Sequence, residues 1–239
     1  MAKAKKRGRK AFTLLNPPKQ NTQFDFGEIY RHIRTNIEFS TVDNDIHSIA
    51  ITSTQPYEAK STTALNLAIV FATKYSKVLI VDCDLRKSQL HQYLKLSNKI
   101  GLTNALRDYS KTHNINSSFF QTVSDSSFVG NLTVLTAGVK VPNPGEILSS
   151  TTFSSFVQDL KNEFDFIILD CPPVASVSDA IPISHAVDGT IFVCSCQDTN
   201  RKDAMSAISL LKQSNVNILG TVLTKADTYT HGYGYGYRY

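Results

Sequence analysis

Six short apolar runs, separated by segments with helical spacing, most restrict the folds open to this chain. They are SIAITST (48–54), KVLIVDCD (77–84), LTVLTAG (132–138), FDFIILDCPPV (164–174), GTIFVCSC (189–196) and ILGTVLT (218–224). Cores such as VLIV and FIIL are continuously apolar, so they read as strands buried on both faces, as parallel strands are. Between the runs, 61–75, a stretch near 102–109, most of 143–164 and a stretch near 201–214 read as helices. Strands alternating with helices predict an α/β fold with a doubly wound, mostly parallel sheet. Such sheets bind ligands at the carboxyl ends of their strands. A length of 239 residues with 41% hydrophobic content suits one domain of this kind with short tails.

The strand 48–54 feeds the segment Pro56-Tyr57-Glu58-Ala59-Lys60-Ser61-Thr62. In strand–loop–helix context this nearly spells the phosphate loop G-x-x-x-x-G-K-[S/T]. Lys60 would reach the β- and γ-phosphates of a nucleotide, and the Ser61 hydroxyl would ligate Mg²⁺. The helix opening at Ser61 would add backbone N–H groups and a favourable dipole. The glycines are missing: Tyr57 and Ala59 stand where bare backbone is usual. Holding another residue at positive φ costs roughly 1–3 kcal/mol, enough to lower nucleotide affinity roughly ten- to a hundred-fold.

Acids at two strand ends strengthen the reading. LIVDCD places Asp82 and Asp84 on one face of a strand and Cys83 on the other, and IILDCPP ends another strand in Asp170. Carboxylates suit Mg²⁺, which shares its coordination with water and substrate phosphates. Asp84 and Asp170 are therefore expected to hold the metal. Asp82 is expected to orient or deprotonate an attacking hydroxyl. Arg86 either assists or forms a surface ion pair.

The charge is uneven. Residues 1–10 hold six of the 25 Lys and Arg, leaving 19 basic against 20 acidic groups in the rest. Residues 1–23 read as a basic flexible arm that suits an anionic membrane surface; no nucleic-acid partner is expected. No apolar run reaches the ~20 residues of a membrane-spanning helix, so a cytoplasmic location is expected. Cys83, Cys171, Cys194 and Cys196 form no C-x-x-C pair and are expected to be buried, reduced thiols. Residues 26–40 read as an amphipathic helix with an Ile29, Ile33, Ile37 stripe and with Glu28, Arg31 and Arg34 off it. The tail, YTHGYGYGYRY (229–239), alternates glycine with Tyr233, Tyr235 and Tyr237 and also carries Tyr229 and Tyr239. It has no basis for a packed core and is expected to be mobile.

Taken together, these motifs resemble the bacterial tyrosine kinases, or BY-kinases, that regulate capsule and exopolysaccharide synthesis. AITSTQPYEAKSTTALNLA resembles their Walker A region, VLIVDCDLRKS their Walker A′ motif and FIILDCPPV their Walker B motif; VPNPGEIL is similar to a further segment. The resemblance implies a P-loop NTPase-like kinase domain over 24–228 that uses ATP and Mg²⁺. It implies a homo-oligomeric ring built through the E-x-x-R-x-x-R element of Glu28, Arg31 and Arg34. It also implies a tail phosphorylated in trans by neighbouring subunits, and a membrane-anchored activator of the chain-length-determinant type that holds the kinase at the inner face of the membrane. A tyrosine phosphatase would reverse the modification. Thr224, in VLTKAD, departs from the asparagine that often reads the base in relatives. The alternatives are a kinase-like scaffold with lost transfer, motivated by Tyr57 and Ala59, and a ParA- or MinD-like ATPase, which would have no use for a tyrosine tail.

Overall fold

The six apolar runs all become strands of one sheet. The computed structural model of the protein describes residues 26–40 and 45–226. Among these, β1 (Ser48–Ser53), β2 (Lys77–Asp82), β3 (Gln121–Val123), β4 (Asn131–Leu135), β5 (Phe166–Asp170), β6 (Gly189–Ser195) and β7 (Ile218–Thr224) pair in the order β3-β4-β2-β5-β1-β6-β7. Every pairing is parallel except that of β3 with β4. The central strands β1, β5 and β6 are buried at every position, which is why their sequences show no alternation.

Helices cover both faces. Successive residues of β2 point to opposite sides, Val78 and Ile80 into one core and Leu79 and Val81 into the other. The first core is closed by α1 (Phe26–Glu38), α2 (Lys60–Ala72) and α3 (Leu90–Leu94). The second is closed by α4 (Leu102–Thr112), α5 (Pro144–Leu148), α6 (Thr151–Glu163), α7 (Ala180–His185) and α8 (Arg201–Gln213). Helix α2 is apolar all round and buried along its whole length, lying between the sheet and α1. Its Phe71 ring stacks on Phe166 of β5, with centroids 3.7 Å apart.

Some expectations need correction. The buried stripe of α1 is Tyr30, Ile33 and Ile37 with Phe26, whereas Ile29 is 44% exposed. Steps of three and four from Tyr30 keep one face toward α2, and Ile29 falls off it. The 143–164 segment is two helices, because Ser150 leaves the helical conformation and its Oγ accepts the Phe153 N–H at 3.2 Å, capping α6. The polar stretch before β4 contains the antiparallel edge strand β3. Cys83, Cys171 and Cys194 are buried and free, but Cys196 is exposed, since β6 ends one residue earlier. No helix among the described residues is long and apolar enough to cross a membrane. The basic arm and the tail tyrosines lie outside the described residues.

At the amino ends of the strands, one carboxylate ties several elements together. Asp188 Oδ2 accepts from the Ser48 N–H at 2.8 Å, the Ser48 hydroxyl at 2.8 Å and the His47 N–H at 3.0 Å, and Oδ1 meets Lys161 Nζ at 2.8 Å. Burial alone would raise the Asp188 pKa, but Lys161 and Ser48 together hold it below the usual carboxylate range. A depressed folded-state pKa gives stability that is complete above the unfolded value of about 3.9 and is lost as pH falls through the folded value. Asp188→Asn is expected to cost about 1–2 kcal/mol at neutral pH and to flatten the acid limb of the stability profile below about pH 4. Urea midpoints of both proteins across that range check it, and parallel acid limbs would contradict it.

Candidate active site

β1 ends at Ser53, and the chain then climbs through residues 54–59 before turning into α2. Two residues of that climb are left-handed: Tyr57 with φ 71° and Ala59 with φ 67°. The backbone therefore keeps the conformation that glycines would supply, at about 1–2 kcal/mol for each residue bearing a Cβ. Tyr57 accommodates its ring by turning it outward, where it is 86% exposed. Ala59 is the residue before α2 and gives the helix no side-chain cap, so the first amides of α2 are left for a ligand.

Glu58 points the other way and is buried. Its Oε2 accepts the Gln55 N–H at 3.0 Å, and its Oε1 accepts the hydroxyl of Thr199 in the turn after β6. The single proton of the Thr224 hydroxyl, at the end of β7, is shared between the Glu58 carbonyl at 2.9 Å and the Cys194 carbonyl at 3.2 Å. Lys225 Nζ donates to the Tyr57 carbonyl at 2.8 Å. Thr224 thus serves the loop backbone rather than facing the cleft.

Lys60 lies at the centre of the site. Its Nζ meets Asp84 Oδ2 at 3.0 Å and Asp170 Oδ1 at 3.5 Å, and it donates to Ser61 Oγ at 3.2 Å. Burial works against the lysine's charge, but Asp170 and Asp84 outweigh it and raise the pKa, so Lys60 is fully protonated. Asp82 and Asp170 are register partners on β2 and β5. Burial, reinforced by the charge of Asp170, pushes the Asp82 pKa up to about 8. Burial also raises Asp170, against the pull of Lys60. Asp82 Oδ2 accepts the Gln89 and Leu90 N–H groups at 3.0 and 3.1 Å, so this acid anchors the start of α3. Asp84 Oδ1 accepts the Lys87 N–H at 2.9 Å.

Two buried carboxylate oxygens, Asp82 Oδ1 and Asp170 Oδ2, have no hydrogen-bond partner. Three acids share one lysine, and unpaired oxygens of this kind fit a further cation. Among the described residues no three acid, His or Cys side chains converge as a ready-made metal cage. Mg²⁺ needs none, since one or two carboxylates suffice when phosphates and water complete its shell. A cleft of about 380 Å³ opens over these groups, lined by Pro56, Tyr57, Ala59, Lys60, Ser61, Thr62, Asp84, Lys87, Gln89, Tyr93, Pro173 and Lys225. A larger hollow, about 610 Å³, lies by Lys77, His113 and Phe164 at the amino ends of the strands, away from these charges.

The fold thus gathers Lys60, Ser61, Thr62, Asp82, Asp84 and Asp170 at one strand edge, with Asp82 sealed beneath the cleft. Arg86 is held away by Asp179, at 2.7 and 3.2 Å. Glu28 and Arg31 pair at 2.7 Å on α1. Arg34 turns inward, donating to the Val70 carbonyl at 2.8 Å and to Thr73 Oγ1 at 3.3 Å on α2. The sequence pattern gives little sign that Lys87, Gln89, Tyr93, Thr199 and Lys225 lie at or around the cleft. The only sequence signals for them were the LRKS stretch after Asp84 and the position of Lys225 next to Thr224. Ala59→Gly relieves the left-handed strain and is expected to raise stability by about 0.5–1 kcal/mol, net of glycine's greater chain entropy. Chemical denaturation measures this, and a loss of stability would show that Ala59 is not strained.

Comparison with known proteins agrees with this geometry. A family model described as an AAA domain matches residues 46–217. The tyrosine-protein kinase YwqD of Bacillus subtilis (strain 168) is 37% identical over 227 residues, 93% of this chain and 90% of its own length. The putative tyrosine-protein kinase CapB of Staphylococcus aureus is 35% identical over 198 residues, 83% of each chain. Among solved structures, the chimerical protein CapA2B2 matches with a TM-score of 0.73 at 34% identity, covering 82% of this chain and 83% of its own. A P-loop-type sheet, a lysine held among strand-end acids and these relatives together place the chain in the bacterial tyrosine-protein kinase family.

Proposed function

We propose that this chain is an ATP-dependent protein-tyrosine autokinase that phosphorylates Tyr229, Tyr233, Tyr235, Tyr237 and Tyr239 of a neighbouring copy and so regulates capsular or exopolysaccharide synthesis and export. The observation that carries this is Lys60 at the amino end of α2, held by Asp84 and Asp170 under an open cleft. The amides of Ser61 and Thr62 and the Lys60 ammonium bind the β- and γ-phosphates. Ser61, Asp84 and Asp170 are the residues that would hold Mg²⁺, which neutralises the charge spread over the phosphoryl oxygens. In the transfer, the tyrosine oxygen bonds to the γ-phosphorus, the bond from that phosphorus to the β–γ bridging oxygen breaks, and the phenolic proton passes to Asp82. The unpartnered Oδ1 of Asp82 suits that task once the entering tyrosine uncovers it, since the carboxyl is fully buried beneath the cleft floor.

A second reading, a kinase-like scaffold, is favoured by the left-handed Tyr57 and Ala59. The two separate on one experiment. Purified chain with its activator segment, ATP and Mg²⁺ is expected to gain phosphotyrosine; Lys60→Met abolishes it, and Asp82→Asn lowers its rate about 100-fold or more with nucleotide affinity within about threefold of wild type. No phosphotyrosine from wild type, with nucleotide bound or not, sinks the kinase reading.

The proposed partners are other copies in a ring, a membrane-anchored activator that keeps the chain at the inner face of the membrane, and a tyrosine phosphatase. On α1, Glu28 and Arg31 are the exposed part of the proposed ring contact, while Arg34 is engaged with α2. Arg31→Ala should therefore reduce the assembly mass in light scattering without lowering the melting temperature. Unchanged mass would remove the ring contact from Arg31.

A further inference from the structure

We propose that Glu58, Thr199, Thr224 and Lys225 form a brace that holds the lysine loop in its phosphate-receiving shape in place of glycines, and that Thr224 is thereby a positioning residue for the nucleotide. The inference rests on the nucleotide-binding reading of the cleft above. It starts from two non-glycine residues, Tyr57 and Ala59, held at φ 71° and 67°. Such conformations persist only where surrounding contacts over-determine them.

The contacts are present, and they bracket the strained pair. The Tyr57 carbonyl is gripped by Lys225 at 2.8 Å, and the Glu58 carbonyl by Thr224 at 2.9 Å. The Glu58 side chain turns back to the Gln55 N–H at 3.0 Å and is locked from outside by the Thr199 hydroxyl. These anchors come from two different places, the turn after β6 and the end of β7. Each anchor is itself fixed: Lys225 also meets Asp198, and Thr199 Oγ1 also accepts the Ser195 N–H at 2.8 Å. None of these bonds uses the amides of Ser61 or Thr62, so the brace leaves the phosphate-facing side of the loop open. Thr224 and Glu58 are absent from the cleft lining, which separates holding the loop from touching the ligand. Lys225 does line the cleft and could serve both ends.

The test is a double-mutant cycle on the full chain. Thr224→Val removes the hydroxyl at constant shape, and Tyr57→Gly with Ala59→Gly removes the need for it. A fluorescent ATP analogue with Mg²⁺ reads affinity. Thr224→Val is expected to weaken binding about tenfold or more in the native loop and less than about threefold in the glycine loop. An equal loss in both backgrounds, or no loss in either, overturns the brace. In ligand-free protein, hydrogen exchange at the amides of Gln55, Tyr57, Glu58 and Ala59 should rise about tenfold in Thr224→Val, with β1 and β5 unchanged. Unchanged loop exchange, or a rise shared equally by β1 and β5, also overturns it. Wild type that binds no analogue would sink the nucleotide reading alone, and the exchange result would then decide the brace by itself.

Discussion

Parallel pairing of β2 with β5 sets Asp82 directly beside Asp170, and burying the two together raises the pKa of one and calls for a cation beside the other. Lys60 is that cation, and much of the site follows from its being there. To reach the acids, the lysine must sit at the first residue of α2, so the loop before it must turn sharply enough to aim the helix at the strand ends. To keep its charge while buried, it must touch both Asp84 and Asp170. Removing the lysine would leave both acids buried without their cation, whereas removing one acid would leave the lysine paired with the other. The same crowding leaves Asp82 Oδ1 and Asp170 Oδ2 without donors, a residual deficit of positive charge that a metal–phosphate ligand would complete.

The rest of the fold supports this one arrangement. A helix as apolar as α2 has no solvent face to protect and must be enclosed, by the sheet on one side and α1 on the other. Its carboxyl end is closed by Arg34 on the Val70 carbonyl, and its amino end is left open. The asymmetry suits a helix whose first turn receives an anion. At the opposite edge of the sheet, Asp188 gathers Ser48, His47 and Lys161, so each end of the strands has its own carboxylate knot.

Much of this was legible in the sequence. Continuous apolar runs identified the parallel strands, β7 to the residue, and the acids at their ends marked the edge where the charged groups converge. Lys60, Ser61, Asp82, Asp84 and Asp170 come together because strand period and helix start are local properties. What escaped was set by long-range contacts. Ile29 looks like part of a stripe until α2 shows which face of α1 it meets. Arg34 looks like a surface group until the Val70 carbonyl, 36 residues on, takes its guanidinium. The five-residue helices α3 and α5 are too short to show a period, and β3 has three residues. Thr199 and Lys225 gave no local sign of acting on a loop some 140 to 170 residues earlier.

The grip of Lys225 on the Tyr57 carbonyl also fixes the last described residues of the chain beside the cleft. Everything beyond it is leashed to the rim of the cleft, and covalent length alone then ranks the tyrosines by radius. Four residues of chain separate Tyr229 from that post and fourteen separate Tyr239, which at up to about 3.6 Å per residue caps their distances from it at roughly 14 and 50 Å. Chain length alone therefore gives each tyrosine a different ceiling on its distance from the cleft, an ordering written into the sequence before any affinity is considered.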